Sequence, residues 1–257
     1  MILALDVGNT NIVFGGIEKK EIMFSTRMST DKGKTDDEYA VLIKMLMSLN
    51  GASEKNFEGG IISSVVPQLS GTLKKAVKKL IGKEPLVVGP GVKTGLNIKI
   101  DNPAQLGSDI VVGAVAAIDE YPKPLMVIDM GTATTICAVD KNSCYRGGII
   151  CPGVRVSMES LTRNAAQLSA ISIEPTKNTI GTNTTDCMRS GIVYGSAAMI
   201  DGMLDRMADE IEGKPTIIAT GGLASSIIPI CRHKITIDED LLLKGLYIIY
   251  KKNNPRE

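Results

Sequence analysis

Aromatic residues, cysteine pairs and an excess of charge of one sign are all scarce in this chain of 257 residues. Aromatic residues make up 4% of it and tryptophan is absent, which argues against the aromatic stacking platforms that bind single-stranded nucleic acid. The formal net charge is +1, so no overall field draws the chain to nucleic acid or to an anionic membrane. We therefore expect neither as a partner, and an anionic ligand must be held by local groups.

The five cysteines contain no C-x-x-C pair, and the only histidine is His233. This sparse, odd number of cysteines predicts neither a disulfide framework nor a zinc site. The longest apolar run, Ile110 to Ile118, is far shorter than the roughly 18–20 residues of a membrane span. The N-terminus reaches an acid at Asp6 without a basic region, unlike a signal peptide. We therefore expect a cytoplasmic protein in a reducing compartment.

The rest of the composition, 44% hydrophobic and 22% charged, is that of a globular protein with a sizeable core. Three β-rich segments near the N-terminus predict an antiparallel meander. Thr35 and Glu38 form a capping box that starts a helix. A second helix follows Pro67, and we interpret its basic run as a solvated face because no aromatic residues interleave with it.

One pattern occurs twice: an apolar strand, then Asp-x-Gly, small polar residues and a second apolar strand. LALDVGNTNIVFGGIEKK contains Asp6, and LMVIDMGTATTICAVDKN at residues 125–142 contains Asp129. A single D-x-G is only a turn, but two in this context indicate an internally duplicated protein of two lobes. We place the lobes at residues 1–120 and 121–257.

The second half also contains a long predicted helix. We expect it to run from about Asp186 to Glu212, with Thr184 or Thr185 as its cap and Gly213 at its end. The last predicted helix closes the chain within the C-terminal lobe.

The paired D-x-G turns have the features of a phosphate-binding cradle. Gly8 and Gly131 let the main chain approach a ligand closely, and Asp6 and Asp129 suit a metal or its waters. The alternative is that both are ordinary hairpin turns. Further hydrogen-bond donors could come from Asn9, Thr10, Asn11, Thr132, Thr134 and Thr135.

Two other places could contribute chemistry. Thr220-Gly221-Gly222 follows a strand and is either a surface for a purine or ribose or a simple strand-to-helix turn. Asp109 precedes an apolar helix and is either its N-cap or a group that accepts a proton from a substrate hydroxyl. With an ordinary pKa of about 3.9, the carboxyl of Asp109 would be ionised at pH 7.

Motifs from both halves of the chain, taken in order, resemble those of type III pantothenate kinases. The resemblance implies a duplicated ribonuclease-H-like fold of the actin-type ATPase superfamily, which also contains acetate and sugar kinases, with a nucleotide cleft between two related lobes. It implies ATP-dependent phosphorylation of pantothenate, the first step of coenzyme A synthesis, with Mg²⁺, a monovalent cation (K⁺ or NH₄⁺) and a homodimer formed through the C-terminal lobe. The motifs are D-V-G-N-T-N at 6–11, I-S-S-V-V-P at 62–67, D-N-P at 101–103, G-S-D at 107–109, D-M-G-T-A-T-T at 129–135, G-G-I-I-C-P-G at 147–153, N-T at 183–184, S-G-I at 190–192 and T-G-G-L-A at 220–224.

The resemblance also implies roles for individual residues. Asp109 is similar to the general base of the family, and Asp129 would bind the monovalent cation. Thr184 would reach pantothenate across the dimer interface. The pantothenate site would also include Gly107, Ser108, Asp109 and Ile110, and the nucleotide site would include Asp6, Val7, Gly8, Asn9, Thr10, Asn11, Ile12, Val13 and Thr132.

The chain departs from the family pattern at two positions. The family usually has arginine where this chain has Ile110, and commonly tyrosine where it has Ile100. Both departures remove donors that could orient the substrate. They leave two other functions open: a non-catalytic nucleotide-binding regulator, and a kinase or phosphatase of the same superfamily that acts on a sugar or a polyphosphate.

Overall fold

The structure is a computed structural model that describes residues 1–165 and 168–255. The chain divides into two compact units, and each contains one β-sheet with its own helices. The first unit comprises Met1–Leu96, Asp101–Asp119 and Asp240–Glu257, and the second comprises Asn97–Ile100 and Glu120–Glu239.

Strands and helices alternate along the described residues, as expected for an α/β protein. In chain order they are β1 (Ile2–Val7), β2 (Asn11–Glu18), β3 (Glu21–Ser29), α1 (Asp36–Leu49), β4 (Gly59–Ser64), α2 (Pro67–Ile81), β5 (Leu86–Val87), β6 (Asn97–Ile98), α3 (Ser108–Glu120), β7 (Leu125–Met130), β8 (Ala133–Val139), β9 (Cys144–Pro152), α4 (Val154–Asn164), α5 (Thr184–Ala208), β10 (Thr216–Thr220), α6 (Ala224–Ile227), β11 (Thr236–Ile237) and α7 (Leu241–Asn253).

The two sheets have the same strand arrangement. In the first sheet the order is β3-β2-β1-β4-β5, with β1, β2 and β3 antiparallel and β4 and β5 parallel to β1. In the second sheet β9, β8 and β7 are antiparallel, β10 and β11 run parallel to β7, and β6 adds an outer strand. The predicted meander and the predicted duplication are therefore confirmed.

Helices α1 and α2 cover one face of the first sheet. Leu5 and Ile62 on the strands pack in one buried cluster with Tyr39, Ile43 and Leu73 on the helices. Burial of side chains of this size stabilises a fold by about 1.5–3 kcal/mol each. The predicted capping box of α1 is also confirmed. The Thr35 side chain accepts from the backbone N–H of Glu38, and the Glu38 side chain accepts from the backbone N–H of Thr35.

Helix α7 packs against β1, β2 and β4 and is part of the first unit. Its Gly245 lies so close to the carbonyl oxygen of Val112 in α3 that a side-chain carbon at position 245 would clash with it. The division of the sequence into residues 1–120 and 121–257 had placed this helix in the second lobe. The apolar face of α7, with Leu243 and Leu246 buried, instead pairs with the first sheet. The lobe boundaries themselves stay a prediction.

The long helix α5 differs at both ends from the sequence prediction. Its N-cap is Asn183, whose side-chain oxygen accepts from the N–H of Asp186, and not Thr184 or Thr185. It ends at Ala208 rather than near residue 212. Among the described residues, no helix is both long enough and apolar enough to span a membrane.

Candidate functional site

The first D-x-G turn joins β1 to β2 through Gly8, Asn9 and Thr10. The N–H of Gly8 donates to the carbonyl oxygen of Asn11 at 3.0 Å, and Thr30, the residue after β3, also holds the turn. The hydroxyl of Thr30 donates to the carbonyl of Gly8 at 2.7 Å, and its N–H donates to the carbonyl of Thr10 at 3.0 Å. This turn therefore has a backbone held in one conformation.

The residues predicted to bind nucleotide at this turn fall into two groups. Asn9, Thr10 and Asn11 are exposed. Val7 and Ile12 are buried in the core of the unit, so they can offer a ligand only their backbone. Asp6, Gly8 and Val13 are partly buried.

The structure brings the end of β1 and the start of α3 together. Asp6 on β1 pairs with Ser63 on the parallel strand β4, so both strands end at the same edge of the sheet. The hydroxyl of Ser63 lies 3.0 Å from that of Ser108, the first residue of α3. Asp109 therefore directly follows Ser108, which is hydrogen-bonded to the end of β4 beside the first D-x-G turn.

Asp109 lies within the first turn of α3 and is not its N-cap. Helix α3 begins one residue earlier, and the Asp109 Oδ1 accepts from the adjacent N–H of Ile110 at 2.8 Å rather than from an N–H further along the helix. The same oxygen lies against Gly107, where a side-chain carbon would clash with it.

The pKa of the Asp109 carboxyl is raised above its ordinary value because burial disfavours the charged form. The backbone N–H groups of Ile110 and of Asp109 itself donate to the carboxylate and oppose this shift. The sequence had given this group an ordinary pKa, and that expectation was wrong. A carboxylate with a raised pKa is a stronger base than an ordinary one, which suits proton abstraction.

The second D-x-G turn joins β7 to β8 through Gly131 and Thr132. The N–H of Gly131 donates to the carbonyl of Ala133 at 3.0 Å, and the N–H of Gly153 donates to the carbonyl of Thr132 at 3.2 Å. A side-chain carbon at Gly153 would clash with the same carbonyl oxygen. The second turn is therefore held by the residues that lead into α4.

The glycine pair after β10 lies beside this second turn. Thr220 pairs with Asp129 on the parallel strand β7. Gly221 has a φ of +97°, and a side-chain carbon there would lie 2.7 Å from the Asp129 Oδ1 and 2.6 Å from the backbone nitrogen of Met130. Only glycine fits both that conformation and that contact. The structure thus brings the T-G-G motif and Asp129 together within the second unit.

Two glycines lie beside the Asp129 carboxylate. A side-chain carbon at Gly131 would lie 3.7 Å from the Asp129 Oδ1, and one at Gly221 would lie 2.7 Å from the same oxygen. Within residues 1–165 and 168–255, no group of three or more His, Cys, Asp or Glu residues could form a metal cage. A carboxylate oxygen is a ligand that hard cations prefer.

Thr184 is the first residue of α5 and has an exposed side chain. Asn183 fixes its position, because the Asn183 side chain accepts from the N–H of Asp186 at 2.9 Å and donates to its carboxylate at 2.7 Å. Thr184 belongs to the second unit, whereas Gly107 to Ile110 belong to the first.

The sequence gave no role to three residues that the structure places at the site. Ser63 and Ser64 end strand β4 beside Ser108, and Thr30 holds the first turn. The signal for the two serines was a pair of hydroxyl residues at the end of the apolar strand that stops at Pro67. No comparable signal marked Thr30.

Comparison with known proteins gives consistent results. Residues 2–206 match the sequence model of the family described as type III pantothenate kinase. A type III pantothenate kinase from Halalkalibacterium halodurans is 45% identical over 98% of this chain and 100% of its own length. One from Bacillus cytotoxicus is 45% identical over 98% of this chain and 97% of its own.

A solved structure shows the same fold. Component A of (R)-2-hydroxyglutaryl-CoA dehydratase from Acidaminococcus fermentans is 14% identical, matches 99% of both chains and has a TM-score of 0.58. At that identity the likeness concerns the fold alone. Together with the two equivalent sheets, it confirms the expected duplicated α/β fold.

Proposed function

The chain belongs to the type III pantothenate kinase family, and on that premise we propose which residues carry the reaction and in what roles. The activity of the family is ATP-dependent phosphorylation of pantothenate to 4′-phosphopantothenate, the first step of coenzyme A biosynthesis. It is a phosphotransferase reaction with an alcohol group as acceptor. The observation that carries our assignment is the position of Asp109. Its carboxyl has a raised pKa, and the preceding residue, Ser108, is hydrogen-bonded to Ser63 at the end of β4, beside the first D-x-G turn.

We assign the nucleotide to the first D-x-G turn, Asp6 to Val13, together with Thr132. The support is a fixed turn with exposed side chains at Asn9, Thr10 and Asn11. Backbone N–H groups in such a turn offer partial positive charge to phosphate oxygens. This suits a chain with a net charge of +1, which must hold a polyanion by local groups.

Asp109 accepts the proton of the primary hydroxyl of pantothenate as that oxygen bonds to the γ-phosphorus of ATP. The bond between this phosphorus and the β,γ-bridging oxygen breaks, and ADP leaves with that oxygen. Phosphoryl transfer passes through a loose transition state, so the protein contributes mainly by positioning the reactants and by neutralising charge. Asp109 removes the hydroxyl proton late in the transfer, so it need not be a strong base. Gly107, Ser108 and Ile110 border the pantothenate, and Thr184 reaches it.

Two kinds of cation complete this proposal. Mg²⁺ would arrive with ATP near Asp6, and a monovalent cation, K⁺ or NH₄⁺, would be held by Asp129 between Gly131 and Gly221. When bound, these cations neutralise negative charge on the phosphates.

The assembly belongs to the proposal as well. We assign a cytoplasmic homodimer whose interface lies on the C-terminal lobe, across which Thr184 reaches the pantothenate of the other protomer. Large apolar side chains that such an interface would cover are exposed in the second unit: Ile150 at 76%, Val156 at 38%, Leu161 at 40% and Ile180 at 84%. The first unit exposes four as well, namely Met23, Val41, Met45 and Leu49, so the choice of the C-terminal lobe rests on the family resemblance.

A panel of acceptors tests the assignment of substrate. The protein is incubated with ATP and Mg²⁺, with and without K⁺, and with pantothenate, a hexose or polyphosphate, and the products are identified by mass spectrometry. We expect 4′-phosphopantothenate in the presence of K⁺ and no transfer to the hexose. Phosphorylation of another acceptor instead would favour a different kinase of the superfamily. Nucleotide binding without transfer to any acceptor would favour a non-catalytic regulator.

A further inference from the structure

The hydroxyl of Ser108 uses all of its hydrogen-bonding capacity within the protein. It donates to the carbonyl oxygen of Ser64 at 3.2 Å and accepts from the N–H of Ser64 at 3.1 Å. Its third partner is the hydroxyl of Ser63 at 3.0 Å. A serine hydroxyl has one donor and two acceptor lone pairs, so Ser63 must be the donor in that contact. No capacity is left for a hydrogen bond to a substrate.

These bonds fasten the start of α3 to a rigid part of the sheet. Ser63 is fully buried and pairs with Asp6 on β1, and Ser64 pairs with Val7. Ser64 is held from its other side too, because its hydroxyl donates to the carbonyl of Val66 at 3.1 Å and accepts from the Val66 N–H at 3.2 Å. The strand end to which Ser108 is bonded is therefore itself fixed.

The opposite side of α3 is fixed by packing. The backbone of α3 contacts α7 at Gly245, where Val112 leaves no room for a side chain. In the first turn of α3 the Gly107 carbonyl accepts from the Val111 N–H at 3.1 Å, and this turn is bonded to the end of β4 through the serine contacts. Asp109 is in that turn.

We propose that Ser63 and Ser108 are positioning residues that set the Asp109 carboxylate beside the end of β1, and that the Ser108 side chain does not bind pantothenate. The inference rests on the proposed role of Asp109 as general base. A displacement of about 1 Å in a reacting group can lower a rate by about 10²-fold, so loss of these bonds acts on the chemical step.

Steady-state kinetics of Ser108→Ala test the proposal. We expect kcat to fall by about 10- to 100-fold, with KM for pantothenate and for ATP within about twofold of wild type. The control is Ser70→Ala, because Ser70 is a partly buried serine of the same unit whose hydroxyl donates to the Val66 carbonyl, which also accepts from Ser64. This variant removes a neighbouring hydroxyl and leaves the contacts of Ser108 with Ser63 and Ser64 in place. A raised KM for pantothenate with unchanged kcat would overturn the proposal, since it would show that the Ser108 hydroxyl binds substrate.

A double-mutant cycle separates positioning from simple loss of stability. Ser63→Ala and Ser108→Ala combined should lower kcat no more than the stronger single variant does, because both break one cluster. Ser108→Thr keeps the hydroxyl and should recover at least half of wild-type kcat. Additive losses in the double variant, or no recovery with Ser108→Thr, would count against a shared positioning role. If Ser63→Ala fails to fold, the pair of Ser108 variants still decides the question.

Failure of this inference can be told apart from failure of the proposed function. In the Asp109→Asn background, Ser108→Ala should cause no further loss of the residual turnover. If Asp109→Asn is itself fully active, the base assignment fails. Amide hydrogen exchange then tests the serines independently: the first turn of α3 should exchange faster in Ser108→Ala than in Ser70→Ala, and equal exchange would overturn the role of the serines.

Discussion

Gly107 lies close to the carboxylate of Asp109, the proposed base. A side-chain carbon at position 107 would clash with the Asp109 Oδ1. We therefore predict that Gly107→Ala displaces the carboxylate and lowers kcat by about 10- to 100-fold, with ATP affinity unchanged. Kinetics together with calorimetric titration of ATP measure both quantities.

Gly71→Ala is the matched control for that substitution. Gly71 lies in α2, and nothing lies within 4 Å of the position of an added carbon. Alanine in a helix interior is more stable than glycine by about 0.5–1 kcal/mol, so this variant should be slightly more stable and fully active. Full activity of Gly107→Ala as well would show that the carboxylate relocates without cost to the reaction.

The raised pKa of Asp109 also makes a prediction about stability. A carboxyl whose pKa is higher in the folded state destabilises the fold when it is charged, and that cost disappears as the pH falls below the ordinary pKa. Asp109→Asn should therefore raise Tm at pH 7, with a gain that shrinks at acidic pH. Thermal unfolding between pH 3 and pH 7 measures it.

Asp140 supplies a control of opposite sign. Burial raises its pKa, but the N–H groups of Cys144 and Asn142 and the charge of Arg146 outweigh burial, so the pKa of this carboxyl is lowered. Asp140→Asn should lower Tm at pH 7 and lose this effect as the pH falls. A lower Tm for Asp109→Asn at pH 7 would contradict the account of its burial.

At this scale the sequence predicted the residue but not its environment. Asp109 was singled out because it follows a glycine-rich segment and precedes an apolar helix, and the family resemblance gave it a role. Its pKa depends on burial, and its place depends on Ser63 and Ser64, which approach Ser108 only once β4 pairs with β1. Such contacts between distant parts of the chain are not visible in a local pattern.

At the scale of single elements, the start of α5 positions Thr184, and the N-cap residue Asn183 holds this helix end. Asn183→Ala removes the side-chain acceptor for the Asp186 N–H and should destabilise the protein by about 1 kcal/mol. Urea unfolding measures the loss. Asn183→Asp, which keeps an acceptor, should stay closer to wild type, and equal losses in the two variants would contradict the capping role.

Helix ends and turns were predictable only where the signal is local. The capping box of Thr35 and Glu38 involves residues three apart and was correctly located. The two D-x-G turns look alike in sequence, yet Asp6 pairs with Val13 whereas Asp129 pairs with Thr135, so the second turn is one residue shorter. Strand register depends on the packing of whole strands, and equal sequence spacing does not determine it.

For the whole molecule, the sequence predicted the duplication but not every assignment that follows from it. Two D-x-G motifs were enough to predict two equivalent sheets. The place of α7 was missed because chain order put it after the second repeat, while its buried face matches the first sheet. The residues of α7 contain no local pattern that shows against which sheet the helix packs.

The central claim is that this chain phosphorylates pantothenate with Asp109 as the general base. The most direct test is a rapid-quench measurement of 4′-phosphopantothenate formed by Asp109→Asn and by wild type, with ATP affinity measured on the same preparations. A general base contributes about 10²–10⁴-fold, so the account predicts less than about a tenth of wild-type turnover, with ATP affinity within about twofold. Retention of more than about a tenth of wild-type turnover would contradict it.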